Sequence, residues 1–129
     1  MERKWTIIYF IDENNNCEVL NFIEKQKKRD QIKIFNWLTL LERDGPTLPR
    51  PYAAFLRNGI HELRLKLSGN QYRILYFFCF KDFIIFTHAF LKKTRKVPTQ
   101  EIEKAIKIKE YVFKTFNEKN IKENLNEKF

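Results

Sequence analysis

Ile60-His-Glu-Leu-Arg-Leu-Lys-Leu67 is followed by Ser68-Gly-Asn-Gln71, then by Tyr72-Arg-Ile-Leu-Tyr-Phe-Phe-Cys-Phe80, Lys81-Asp82 and Phe83-Ile-Ile-Phe-Thr-His-Ala-Phe-Leu91. Three runs rich in β-branched and aromatic residues, separated by short polar breaks, read as three strands. Connections this short leave room only for antiparallel neighbours, so the strands form a meander. If each connection encloses an even number of residues, Lys66 pairs with Arg73, Arg64 with Leu75 and Glu62 with Phe77. On the next ladder Leu75 pairs with His88, Phe77 with Phe86 and Arg73 with Phe90.

Side chains alternate along a strand and direct partners share a face. One face then collects Leu63, Leu65, Leu67, Ile74, Tyr76, Ile85 and their neighbours, and wants helices against it. The other gathers Glu62, Arg64, Lys66, Arg73, His88 and Lys92, with Phe77, Phe86 and Phe90 between them. Like charges held opposite one another are destabilising by a few tenths of a kcal/mol. An anion lying between them reverses that sign.

The flanking segments supply the helices. Residues 5–11 read as a further strand. Val19, Leu20, Phe22 and Ile23 fall on one stripe of a short helix. Residues 30–42 follow as a second helix with Phe35, Leu38 and Leu41 inward, stopped by Gly45-Pro46. Residues 46–58, with three prolines, read as a loop. Pro98 opens a last helix whose apolar side carries Ile102, Ala105, Ile106, Val112, Phe113 and Phe116. The expectation is an α+β fold with a twisted, mainly antiparallel four-stranded sheet, two N-terminal helices on one face and a C-terminal helix. Residues 1–116 make one domain, and the Asn/Lys/Glu-rich residues 117–129 read as a frayed polar tail.

Charge is concentrated in the strands. Residues 46–100 hold ten of the 25 Lys and Arg but only two of the 16 acids, Glu62 and Asp82, and so carry nearly all of the net charge of +9. A cationic sheet suits a polyanion, and interleaved aromatics suit single-stranded RNA, whose bases stack while its phosphates meet Arg and Lys. A solvated polar face is the plain alternative. No apolar run is long enough to span a bilayer and no signal-like segment opens the chain, so a cytoplasmic location without membrane contact is expected. Cys17 and Cys79 lack metal-ligand or redox spacing and read as packing residues; no metal or cofactor is expected.

His61-Glu-Leu-Arg-Leu65, Gln71-Tyr-Arg-Ile-Leu-Tyr76, Thr87-His-Ala-Phe-Leu-Lys-Lys-Thr94 and Val97-Pro-Thr-Gln-Glu-Ile102 resemble, in order and spacing, the RelE/ParE toxin superfamily, in particular its HigB-like, phage Gp49-like branch. The likeness spans roughly residues 5–113, with His61 standing where Trp is common. It implies a small RelE-like fold and a type II toxin that acts as a ribosome-dependent mRNA endonuclease. Its partners would be mRNA in the ribosomal A site, the ribosome, and a cognate helix-turn-helix antitoxin.

The resemblance also implies basic catalytic residues on the open sheet face, at Arg64, Arg73, His88, Lys92 and Lys93, with RNA contacts from Lys66, Arg57, Arg95, Lys96 and Phe90. The chemistry would be attack of the ribose 2′-OH on the adjacent phosphate. Arg64 and Arg73 would clamp the phosphorane, His88 would move the proton, and Lys92 or Lys93 would assist the leaving group. Glu62 would hold Arg64, and Arg73→Ala would leave the melting temperature within a few degrees. Two rivals share the fold: a ParE-like gyrase inhibitor without nuclease activity, and a non-catalytic RNA-binding module.

Overall fold

The computed structural model describes residues 4–124. Its order is β1 (Thr6–Tyr9), α1 (Glu18–Glu24), α2 (Lys28–Asp44), a short 3-10 turn, β2 (Ala53–Arg57), β3 (Ile60–Leu67), β4 (Asn70–Cys79), β5 (Phe83–Leu91), α3 (Thr99–Thr115) and α4 (Ile121–Asn124). The strands form one five-stranded sheet in the order β1-β5-β4-β3-β2. Four ladder strands run as antiparallel neighbours, while β1 joins the far edge parallel to β5. The α+β class stands, but with five strands of mixed direction rather than four.

The extra strand is β2, which falls inside the expected 46–58 loop. Asn58 and Gly59 both have positive φ, 52° and 79°, as a two-residue type I′ hairpin turn requires. Ser68 and Gly69 repeat the device, at 50° and 84°. That second turn is two residues long, not four. Leu67 therefore pairs with Asn70, and the β3–β4 register shifts by two from the expected one: Arg64 faces Arg73, Glu62 faces Leu75 and Lys66 faces Gln71.

Two departures cancel on the β4–β5 ladder. The turn spans Phe80-Lys81-Asp82, with Phe80 at φ 55° and Cys79 pairing with Phe83. Being odd in length, it reverses the expected parity, so Tyr76 rather than Phe77 faces Phe86. A bulge then inserts Thr87, whose hydroxyl lies 3.1 Å from the Leu75 carbonyl. Beyond it Leu75 faces His88 and Arg73 faces Phe90, as expected. A bulge of this kind re-aims the side chains that follow.

Both sheet faces are covered. Ile7, Tyr9, Leu63, Leu65, Ile74, Tyr76, Ile84 and Phe86 pack with α1 and α2 through Val19, Ile23, Ile34, Leu38 and Leu41. Ile8, Leu75, Phe77, Phe83 and Ile85 pack with Ala105 and Val112 of α3. The expected open basic face is therefore closed along much of its length by the protein's own C-terminal helix. Phe86 and Ile85 sit on the opposite faces from those expected, because of the odd turn. Ile121 is fully buried in the α3-side cluster. Packing thus continues past residue 116, into what read as tail; residues 125–129 lie outside the described residues.

Polar ties fix α3 in place. Lys104 Nζ reaches Glu18 of α1, and Lys109 Nζ donates to the Asn58 carbonyl at 2.8 Å. No helix among the described residues is long and apolar enough to cross a membrane. Cys17 and Cys79 are free and buried, and burial pushes the Cys79 thiol up to about 12, which fits packing residues.

Candidate functional site

Where α3 stops covering the sheet, an open cleft of about 370 Å3 remains between β2, β3, the end of β5 and the 92–97 segment. Arg50, Arg57, Arg64, Lys92, Arg95 and Lys96 line it, together with one acid, Glu62. Five of these cations were expected at the site. Arg50, from the loop before β2, was not assigned to it, and neither were the apolar members Phe55, Leu56, Val97 and Ile102.

Each cation arrives by a separate structural device. Arg64 sits on the α3-side face of β3 because Leu63 and Leu65 take the other face into the core. Arg57 ends β2 beside the Asn58-Gly59 turn, and its Nη2 donates to Glu103 of α3 at 2.9 Å. Both partners of that pair are substantially exposed, so its contribution to stability is small. Lys92 is pinned at the end of β5, where its backbone N–H donates to the Gln71 carbonyl at 2.8 Å.

Arg73 lies under the cleft rather than in it. Only 2% exposed, its Nε donates to Glu62 Oε1 at 3.0 Å, and its Nη1 donates to the Tyr72 carbonyl at 2.9 Å and to Gln71 Oε1 at 3.3 Å. Glu62, 5% exposed, thus holds Arg73 and not Arg64. Burial pulls the Arg73 guanidinium down from its ordinary value, Glu62 holds it up, and Arg64 opposes it. Lys92 is drawn down as well, first by desolvation and then by Arg73, with Arg64 adding to the effect and Glu62 opposing it. An ammonium in that setting is a stronger acid than one on an open surface.

His88 does not stand on an open face. Its ring is 1% exposed beneath α3. Nε2 lies 3.0 Å from Glu101 Oε1 and Nδ1 lies 3.0 Å from the Thr87 hydroxyl. The imidazole value is lowered, mainly by burial and then by Lys104, with Glu101 pulling the other way. A neutral ring places its proton on Nε2, donating to Glu101, and Nδ1 then competes with the Leu75 carbonyl for the single proton of the Thr87 hydroxyl. Phe90 is half-buried and stacks on that ring, with centroids 5.7 Å apart.

The remaining candidates lie apart. Lys93 is exposed and does not line the cleft. Lys66 borders a separate hollow with Arg29, Lys33 and Trp37, between α2 and the β3–β4 turn. The site brings together Arg64, Lys92, Arg57, Arg95 and Lys96 above a buried Arg73–Glu62 pair. Among the described residues no group of three or more His, Cys, Asp or Glu side chains is placed to hold a metal ion.

A small α+β protein with a cation-lined cleft at one end of a twisted sheet is a class built to receive an anion. The sequence model of the family described as Phage derived protein Gp49-like (DUF891) matches residues 21–110, and the chain belongs to that family. It is a family of RelE/HigB-like toxins, which points to a toxin of a toxin–antitoxin pair and to an antitoxin as partner. No protein with a curated description matches the chain.

Proposed function

We propose that the protein is a toxin that cleaves mRNA on the ribosome by 2′-OH transesterification, held in check by a helix-turn-helix antitoxin. The observation that carries this reading is the convergence of six cations on one cleft with a single, already paired acid. Such a cleft repels itself when empty and is relieved by a phosphodiester. RelE-like toxins are associated with endoribonuclease activity, which makes RNA the favoured polyanion.

In this mechanism the 2′-oxygen attacks the adjacent phosphorus, the bond to the 5′-oxygen breaks, and a 2′,3′-cyclic phosphate and a 5′-OH result. Arg64 grips the non-bridging oxygens, where charge grows in the phosphorane. Arg73, locked by Glu62, adds its field from below. Lys92 gives its proton to the departing 5′-oxygen, a role suited to an ammonium of lowered pKa. The 2′-OH proton passes to solvent or to a group on the ribosome. His88 positions β5 against α3 instead of touching RNA, while Arg57, Arg95 and Lys96 hold flanking phosphates. Lys93 and Lys66, outside the cleft, steer the incoming strand.

One observation favours a second reading. With both His88 nitrogens engaged and Glu62 paired with Arg73, the cleft has no free general base among the described residues, and a gyrase-inhibiting toxin on the same scaffold would need none. Induced expression separates the two. Cleavage within codons, with 2′,3′-cyclic phosphate ends, supports the nuclease. Intact mRNA with a DNA-damage response supports the gyrase inhibitor.

A further inference from the structure

We propose that the hollow between α2 and the β3–β4 turn, lined by Arg29, Lys33 and Lys66, seats the backbone of duplex RNA as a second polyanion site, apart from the cleft. The inference rests on the nuclease reading above and names the surface by which such an enzyme docks on the structured RNA around its substrate.

The hollow measures about 580 Å3, and Asp30, Trp37, Ser68 and Gly69 complete its lining. Arg29 and Lys33 stand about one helical turn apart on α2. That helix packs on the face of the sheet opposite the one that carries Arg64, so the hollow and the cleft cannot share a phosphate. Residues 25–33 hold five cations, Lys25, Lys27, Lys28, Arg29 and Lys33, and one acid, Asp30. That acid is 3% exposed and accepts the Ser68 hydroxyl at 2.5 Å. The bond ties the β3–β4 turn to α2 and leaves the exposed charges of this segment all positive. Arg29, Lys33 and Lys66 are exposed, and none has an ion-pair partner among the described residues. Lys28 and Arg29 also open α2, the end at which the helix dipole is already positive and cations cost stability. A bound anion reverses both penalties, the repulsion among the cations and that of the dipole. No exposed ring lines the hollow: Trp37 is half-buried and meets Tyr52 edge-on at 5.8 Å. Contact therefore runs through phosphates, with no platform for an unstacked base. Duplex RNA is the polyanion that presents its phosphates and keeps its bases stacked on one another.

The test measures affinity of the full chain for an RNA duplex of about 16 base pairs, beside a single-stranded RNA hexamer blocked by 2′-O-methylation. Arg29→Ala/Lys33→Ala should weaken duplex binding at least about 10-fold at 0.1 M salt and flatten the slope of log K against log salt by about 1.8, the share of two phosphate contacts. Hexamer binding should stay within about two-fold. Arg64→Ala should do the reverse, and saturating duplex should leave the hexamer site open. Lys107→Ala/Lys114→Ala removes the same net charge from exposed positions of α3, outside both sites. An equal loss of duplex affinity in that control would mean a diffuse field, and the proposal would fall. It falls also if Arg29→Ala/Lys33→Ala binds duplex as wild type does, or if duplex and hexamer compete for one site. In either case hexamer binding that still depends on Arg64 leaves the nuclease reading standing. Hexamer binding indifferent to Arg64→Ala, with duplex binding still dependent on Arg29 and Lys33, overturns the cleft reading and supports the second site. If Arg29→Ala/Lys33→Ala keeps duplex affinity and instead loses antitoxin binding, the hollow docks a protein and the proposal is overturned.

Discussion

Arg64 and Arg73 are direct partners across the β3–β4 ladder, yet only Arg73 has a carboxylate, because Glu62 two residues before Arg64 turns to the buried guanidinium. The pair divides two duties. Arg73 is structural and electrostatic, fixed by three hydrogen-bond acceptors; Arg64 faces the cleft with its charge unspent.

Arg64→Ala should therefore abolish growth arrest at little cost in stability. The melting temperature should hold or rise slightly, because a repulsion with Arg73 is removed. Single-strand RNA affinity should fall, and the slope of log K against log salt should flatten by about 0.7, the share of one phosphate contact. Full toxicity in a folded Arg64→Ala protein would remove this residue from the clamp.

Arg73→Ala should behave differently from the expectation drawn from sequence. Removing one partner of a buried ion pair leaves the other uncompensated and costs about 3–5 kcal/mol. The variant should lose toxicity and stability together, so its inactivity alone says little about chemistry. The double variant Arg73→Met/Glu62→Leu should regain most of the stability while staying inactive. A single variant as stable as wild type, by urea midpoint, would contradict the pairing.

The meander was legible in residues 60–91, most of the cationic cluster in residues 57–96, and the helix order in the stripes at residues 19–41 and 102–116. The missed features divide by cause. Strand β2 and the β3–β4 register were readable in principle, since Asn58-Gly59 and Ser68-Gly69 are dipeptides that favour positive φ at both central positions. Two-sided burial was also written in Phe83-Ile-Ile-Phe86, a continuous apolar run of the kind that covered strands carry. The Thr87 bulge and the odd turn at Phe80 were not readable, because no local residue preference demands either. Nor was the meeting of His88 with Glu101, which depends on how α3 lies over the sheet.

Stability should decline on mild acidification. His88 and His61 both have folded-state values below the ordinary 6.5, His88 through burial and Lys104 against Glu101 and Glu18, and His61 through burial alone. The unfolded chain then binds protons that the folded chain excludes. Their contribution is complete above about pH 6.5 and is lost as pH falls through the folded values. Urea midpoints should fall between pH 7.5 and 5, and His88→Gln and His61→Gln should each flatten part of that slope. A profile left unchanged by both substitutions would remove the assignment.

Gly45 ends α2 at φ 52° and ψ −123°, a region that essentially only glycine occupies. A Cβ there would also lie 2.3–2.7 Å from the indole of Trp5. That indole meets Phe78 edge-on, and the Trp5 backbone N–H donates to Glu42, so it has little room to retreat. Gly45→Ala combines a backbone cost of about 1–3 kcal/mol with an overpacking cost of similar size. A double-mutant cycle with Trp5→Ala separates them: in that background Gly45→Ala should retain only the backbone cost, so the two changes should be non-additive by about 1–3 kcal/mol. Additivity within error would mean that the indole is not the obstacle and that the helix end alone sets the requirement for glycine.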